Sequence, residues 1–263
     1  MSTENRFWKY WGRSKNKKLF AILKEKDYFY HVHPSPKTMM RPLLPLCLLV
    51  LLLSSCSSSV NDLERSGLKG NVKSVTEHQY EAEFEEGRWV AGDPSFTGHH
   101  ITKYDHNGFY LETIVLSQLG DTVGFSICKR ENGEMVEEEF VSILDNKTTR
   151  SIMEKVSDEQ VNFEVWADDR LHYEGANYYD SRGRISRQIR VVNNTELTNY
   201  YVYENNLLVE NFQEDYRRNR TMIHRYEYLT FDDKGNWTSR LVYVGKERIV
   251  PDLMVTREIE YFR

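Results

Sequence analysis

The chain has 263 residues, with 35 Lys and Arg against 40 Asp and Glu, a formal charge of −5, three cysteines and 13% aromatic residues. Three cysteines are too few for a disulfide framework, so any folded body is held by its own core. An acidic balance repels phosphate backbones and speaks against nucleic acid as a partner.

Residues 1–38 are basic and aromatic, with Trp8, Lys9, Trp11 and Arg13 close together. They read as an N-terminal extension ahead of the natural start Met39-Met40-Arg41, with an interfacial amphipathic helix as the alternative. Residues 39–55 read as a signal peptide. The run from Leu43 to Leu53 is apolar, too short for the roughly 20 residues of a spanning helix, and interrupted by Pro45. Leu53-Ser54-Ser55-Cys56 closes it. That tetrad resembles the bacterial lipoprotein signal, in which the cysteine takes diacylglycerol and becomes the mature N-terminus. The resemblance implies lipidation at Cys56, attachment to a membrane through that anchor, and sorting to the outer membrane, since Ser57 and not Asp follows the cysteine. Which face of that membrane carries the protein is left open. Residues 1–55 hold 10 of the basic and 3 of the acidic residues, which leaves 25 against 37 and a mature charge of −12. Residues 56–66 are expected to be a lipidated tether, and 67–263 a single domain.

From Val72 onward the pattern is strand, turn, strand. Runs rich in β-branched and aromatic residues span Val72 to Tyr80, Leu111 to Leu116, Val161 to Trp166, Ile185 to Val192, Leu197 to Tyr203, Ile223 to Thr230, Trp237 to Val244 and Val255 to Phe262. In the last run Val255, Ile259 and Tyr261 share a face that Arg257 interrupts. A strand with a turn at Ser157-Asp158 suits residues 149–157 better than a helix. Turn signals recur about every 25 residues at Glu86-Gly87, Asn107-Gly108, Asn132-Gly133, Arg182-Gly183, Asn205-Asn206 and Lys234-Gly235. The expected fold is all-β: an antiparallel meander of repeated hairpins in a strongly twisted sheet, rolled or closed into a partial barrel.

Three turns follow one template: an aromatic residue, Asp, two polar residues, then Gly. They are Tyr104 to Phe109, Tyr179 to Ile185 and Phe231 to Trp237. Asp105, Asp180 and Asp232 are expected to accept backbone N–H groups inside their turns, while Gly108, Gly183 and Gly235 take the left-handed conformation. Tyr179-Asp180-Ser181-Arg182-Gly183-Arg184-Ile185 resembles the unit of the YD (RHS-like) β-repeat proteins, and the chain is similar to Bacteroidetes-type lipoproteins with degenerate units of this kind. The resemblance implies hairpin topology and no activity.

Candidates for chemistry are few. His99 and His100 are adjacent, so on a strand they point to opposite faces and cannot easily share a metal. Asp232-Asp233-Lys234-Gly235-Asn236 lacks the distal carboxylate of a calcium loop, and turn capping explains it better. Glu137-Glu138-Glu139 reads as a solvated edge segment. Cys128, beside Phe125 and Ile127, reads as a buried inert thiol. No catalytic residue, cofactor or metal site is expected. Aromatic residues crowd the C-terminal half, and adjacent Tyr200 and Tyr201 must point to opposite faces. Tyr201, Tyr228 and Trp237 are the candidate ligand-binding residues, as an aromatic sheet face for a glycan or an envelope protein. The alternatives are a structural or assembly subunit of an outer-membrane complex and a polysaccharide hydrolase with an acidic cleft.

Overall fold

In the computed structural model the described residues are 60–263 except 216, 247 and 248; the expected extension, signal peptide and Cys56 lie outside them. The described chain holds one short helix, α1 (Asp62–Arg65), and fifteen strands: β1 (Val72–Glu85), β2 (Arg88–Pro94), β3 (His99–Tyr104), β4 (Tyr110–Leu116), β5 (Thr122–Glu131), β6 (Glu134–Ser142), β7 (Lys147–Ser157), β8 (Gln160–Ala167), β9 (Arg170–Tyr179), β10 (Ile185–Val192), β11 (Thr195–Glu204), β12 (Leu207–Glu214), β13 (Arg220–Phe231), β14 (Trp237–Val244) and β15 (Leu253–Tyr261). Consecutive strands from β3 to β15 pair antiparallel, and β15 pairs back onto β1 from Val72↔Tyr261 to Glu81↔Leu253. The meander expected from sequence is therefore present, but the sheet closes completely: β1 and β3–β15 form a ring of fourteen, more than the partial barrel expected. Closure satisfies the rail of hydrogen-bonding groups that an open sheet would leave on β15. β2 lies outside the ring, paired with the far half of β1.

Residues that pair directly across strands project to one face. The inward face is identified by Val75 and Tyr104, which form a buried cluster with Leu63 and Leu68 of the N-terminal segment and Val72 at the start of β1. Followed around the ladder, it includes Glu77, His100, Ser126, Cys128, Glu138, Phe163, Gln188, Tyr201, Tyr226, Arg240 and Arg257. The lumen is thus mixed, and its carboxylates are matched: Glu138 accepts from the Tyr110 hydroxyl at 3.0 Å. Glu137 and Glu139 point outward beside Arg150. This corrects the expectation of an edge segment at 137–139, because β6 is flanked on both sides.

The outward face alternates apolar residues with charges: Glu112 opposite Ile127, Glu139 opposite Arg150, Glu164 opposite Ile152, and Glu210 opposite Arg225. Tyr200 stacks on Phe212 outside, with ring centroids 5.2 Å apart, while Tyr201 points inward as its sequence position requires.

Residues 60–66, expected to belong to a tether, instead fold onto one mouth of the ring. Asn61 caps α1 by accepting from the Glu64 N–H at 2.9 Å. Asp62 accepts from the Tyr110 N–H at 2.8 Å and from Arg130. Val60 packs at Gly183 and the next residue, Asn61, at Gly108, although those turns are six strands apart in the ring. Two chain neighbours can touch both only if this mouth is pinched. The segment then runs past Asn206 and seats Lys69 against Asn236.

Candidate functional site

Three loops at the plugged mouth share one construction. Asp105, Asp180 and Asp232 each accept backbone N–H groups two and four residues on, at 2.8 to 3.0 Å. Gly108, Gly183 and Gly235 hold φ of 81°, 74° and 79°, which a Cβ would strain. Two loops at the other mouth repeat it: Asp215 accepts from Arg217 and Asn219, and Ser117 from Leu119 and Asp121. Sequence reading missed these two because Arg218 replaces the glycine in one and Ser117 the aspartate in the other. At Asp232, partial burial would raise the carboxyl pKa. Hydrogen bonds from the Tyr261 hydroxyl and from the N–H groups of Asn236 and Lys234 outweigh it and hold the group below the usual carboxylate range. Asp180 is lowered too: burial opposes, and the Arg184 side chain and two N–H groups prevail.

The Asp232 loop, the Asn205-Asn206 turn and the N-terminal segment frame a pocket of about 310 Å³. Phe231 and Trp237 give it aromatic walls; Lys69, Asn205, Asn206 and Asn236 give it polar ones, and Arg257 lies at its floor. Asn236 is fully engaged: it accepts from the Lys69 N–H at 2.7 Å and donates to the Lys69 carbonyl and the Tyr261 hydroxyl. It therefore fixes the frame. Phe231 is 47% exposed and open to a ligand.

Arg257, an interruption in the sequence pattern, is the hinge between pocket and lumen. Its guanidinium lies 3.5 Å from the centre of the Trp237 ring and its Nε 3.2 Å from Glu77 Oε2. Glu77 also meets His100 Nε2 at 3.2 Å. Burial would raise the Glu77 pKa, but His100 and Arg257 hold it far below the ordinary range. Burial lowers the pKa of Arg257 against the pull of Glu77.

The three candidate aromatic residues all face inward. Trp237, 7% exposed, lines the pocket. Tyr228 packs edge-on against it, centroids 5.7 Å apart, and donates its hydroxyl to the Leu208 carbonyl at 2.9 Å. Tyr201 sits deeper, its pKa raised by burial against the nearby charge of Arg190. Tyr201 and Tyr228 therefore do not form an outward platform. Beside them an amide ladder crosses four strands: Gln188 donates to Asn177, Asn199 to Gln188 and Gln213 to Asn199, at 2.9 to 3.3 Å.

His99 and His100 diverge as expected: His99 meets the Ser95 carbonyl at 2.8 Å, while His100 turns in to Glu77. Cys128 is half-buried; its pKa is raised by burial, and Sγ donates to the Tyr110 carbonyl at 2.9 Å. No cluster of three or more metal-ligating side chains occurs among the described residues.

No known family matches the chain, and no curated protein matches it. Among solved structures, a porin-like protein from Bacteroides uniformis is similar at 11% identity and a TM-score of 0.43, covering 73% of this chain and 98% of its own. A porin-like protein from Bacteroides vulgatus is similar at 14% identity and a TM-score of 0.34, with the same coverage.

Proposed function

We propose that the protein is a lipid-anchored outer-membrane protein that keeps its barrel in water and binds a glycan, without catalysis, in the pocket between Phe231 and Trp237. The anchor is Cys56, and the hairpins are degenerate YD-type units. The outward charges favour an aqueous barrel. Arg and Lys cost about 2–4 kcal/mol each at the middle of a bilayer on the lipid face of a barrel, and the outward face carries charges on strand after strand.

The observation that carries the binding role is the pocket itself. One exposed aromatic ring, a ring wall and several side-chain amides around 310 Å³ suit a sugar, which presents an apolar face and a belt of hydroxyls. A glycan array followed by calorimetry tests it. Binding that Phe231→Ala weakens at least about tenfold, the scale of one lost aromatic contact, is expected. Silence across the array overturns the reading.

A second reading, an assembly subunit, draws on the other mouth, where Phe96, Leu119 and Leu144 are 86%, 89% and 75% exposed. A stable hetero-complex in detergent, lost when these three become Ser, would establish it.

A further inference from the structure

The lining of the pocket has a charge bias that a neutral sugar does not need. Its only ionisable residues are Lys69 and Arg257; no carboxylate lines it. Glu77 neutralises Arg257, so the surplus charge is that of Lys69. Lys69 Nζ is exposed and spends one donor on the Gly235 carbonyl at 3.1 Å, leaving two. Asn206 accepts from Arg182 through Oδ1, which leaves its amide N–H groups unused. Asn205 makes no side-chain hydrogen bond among the described residues. Arg257 Nε, buried at the floor, lacks a hydrogen bond of good geometry despite its closeness to Glu77. Unused side-chain donors thus outnumber unused side-chain acceptors at this site, beside two aromatic rings.

We infer that the pocket selects an acidic sugar, phosphorylated or carboxylated, with the anion at Lys69 and the asparagine amides and the ring against Phe231. This deepens the glycan reading and rests on it. The anion converts neutral hydrogen bonds to charge-assisted ones, which are about twice as strong. The same chemistry occurs in free sugar phosphates and in the headgroups of phosphorylated glycolipids.

The test uses the full mature chain in detergent, titrated with glucose, glucose 6-phosphate and glucuronate, and then mixed with phosphatidylcholine vesicles with and without a phosphorylated glycolipid. The acidic sugars are expected to bind at least about tenfold tighter than glucose, as one charge-assisted bond requires. Raised salt should erode that preference, because the anion sits near an exposed cation. Lys69→Gln should bring the affinity for the acidic sugars down to that which the same variant shows for glucose, with thermal unfolding confirming that the variant folds; if it does not fold, the salt dependence of the unaltered protein decides. Vesicle binding only with the glycolipid assigns a membrane source, and binding of the free sugars alone assigns a soluble one; either supports the selectivity. Equal affinity for glucose and glucose 6-phosphate overturns the inference and leaves the glycan reading standing. No affinity for any of the three overturns the inference, and a silent glycan array overturns both.

Discussion

The two mouths of the barrel use the same loop construction and end in opposite states. At the plugged mouth, three Asp-capped loops are tied together by residues 60–71: Gly108, Gly183 and Gly235 lie against Asn61, Val60 and Lys69, and Asp232 accepts from Tyr261 at the end of β15. At the other mouth, no terminal segment of the described residues ties together the loops capped by Asp215 and Ser117, and apolar tips such as Leu119 and Leu144 face solvent. A local turn motif therefore fixes hairpin geometry only; the segment laid across the mouth turns one set of loops into a site. The proposed binding role belongs to the plugged mouth, where the framed pocket has aromatic walls and charged side chains.

The largest expected effect lies in the segment. Leu63 is 5% exposed in the plugging cluster. Leu63→Ala is expected to cost about 2–5 kcal/mol by urea unfolding, the usual range for a buried leucine. The same change at Leu119 should fall within about 0.5 kcal/mol. Equal costs would erase the distinction between the mouths.

Two glycines sharpen it. Gly108 and Gly120 hold φ of 81° and 88°, so alanine strains both. A Cβ at Gly108 would also come 2.7 Å from the Asn61 amide, while Gly120 has open space around it. Gly120→Ala should cost about 1–2 kcal/mol from backbone strain alone. Gly108→Ala should cost more and loosen hydrogen exchange across residues 60–68.

Acid gives a smaller, graded test. Asp180 and Asp232 have folded pKa values below the ordinary one. Their stabilisation is therefore complete above the unfolded value, about 3.9, and is lost as pH falls through the folded values below it. The unfolding temperature should drop through that window, and Asp232→Ala should flatten the drop. Asp215→Ala should lower the unfolding temperature less at pH 7, because among the described residues Asp215 bonds only within its own loop.

Strand positions were legible where aromatic and β-branched residues ran together, and Asp105, Asp180 and Asp232 were legible as caps because Gly followed each at a fixed distance. Closure was not legible: Arg257 looked like a break in the last strand until Glu77 of β1 supplied its partner across the seam. The plug was hidden for a similar reason. Val60 to Ser66 have a polar, tether-like composition, and their value lies in contacts to residues as distant in sequence as Arg130 and Gly183. Trp237 was a candidate from composition, but its pocket needed Lys69 and Asn206, which no local pattern joins to it.

The most direct test of a lipid-anchored barrel standing in water is a nitroxide on its outward face. The full chain, labelled in turn at Ile152 and at Thr198, both outward on the ladder, is reconstituted in vesicles. Collisions with a water-soluble nickel chelate at both positions, with no enrichment from bilayer-dissolved oxygen, are the expected result. Oxygen accessibility exceeding that of the chelate at either position would place the outward face in lipid and contradict the account.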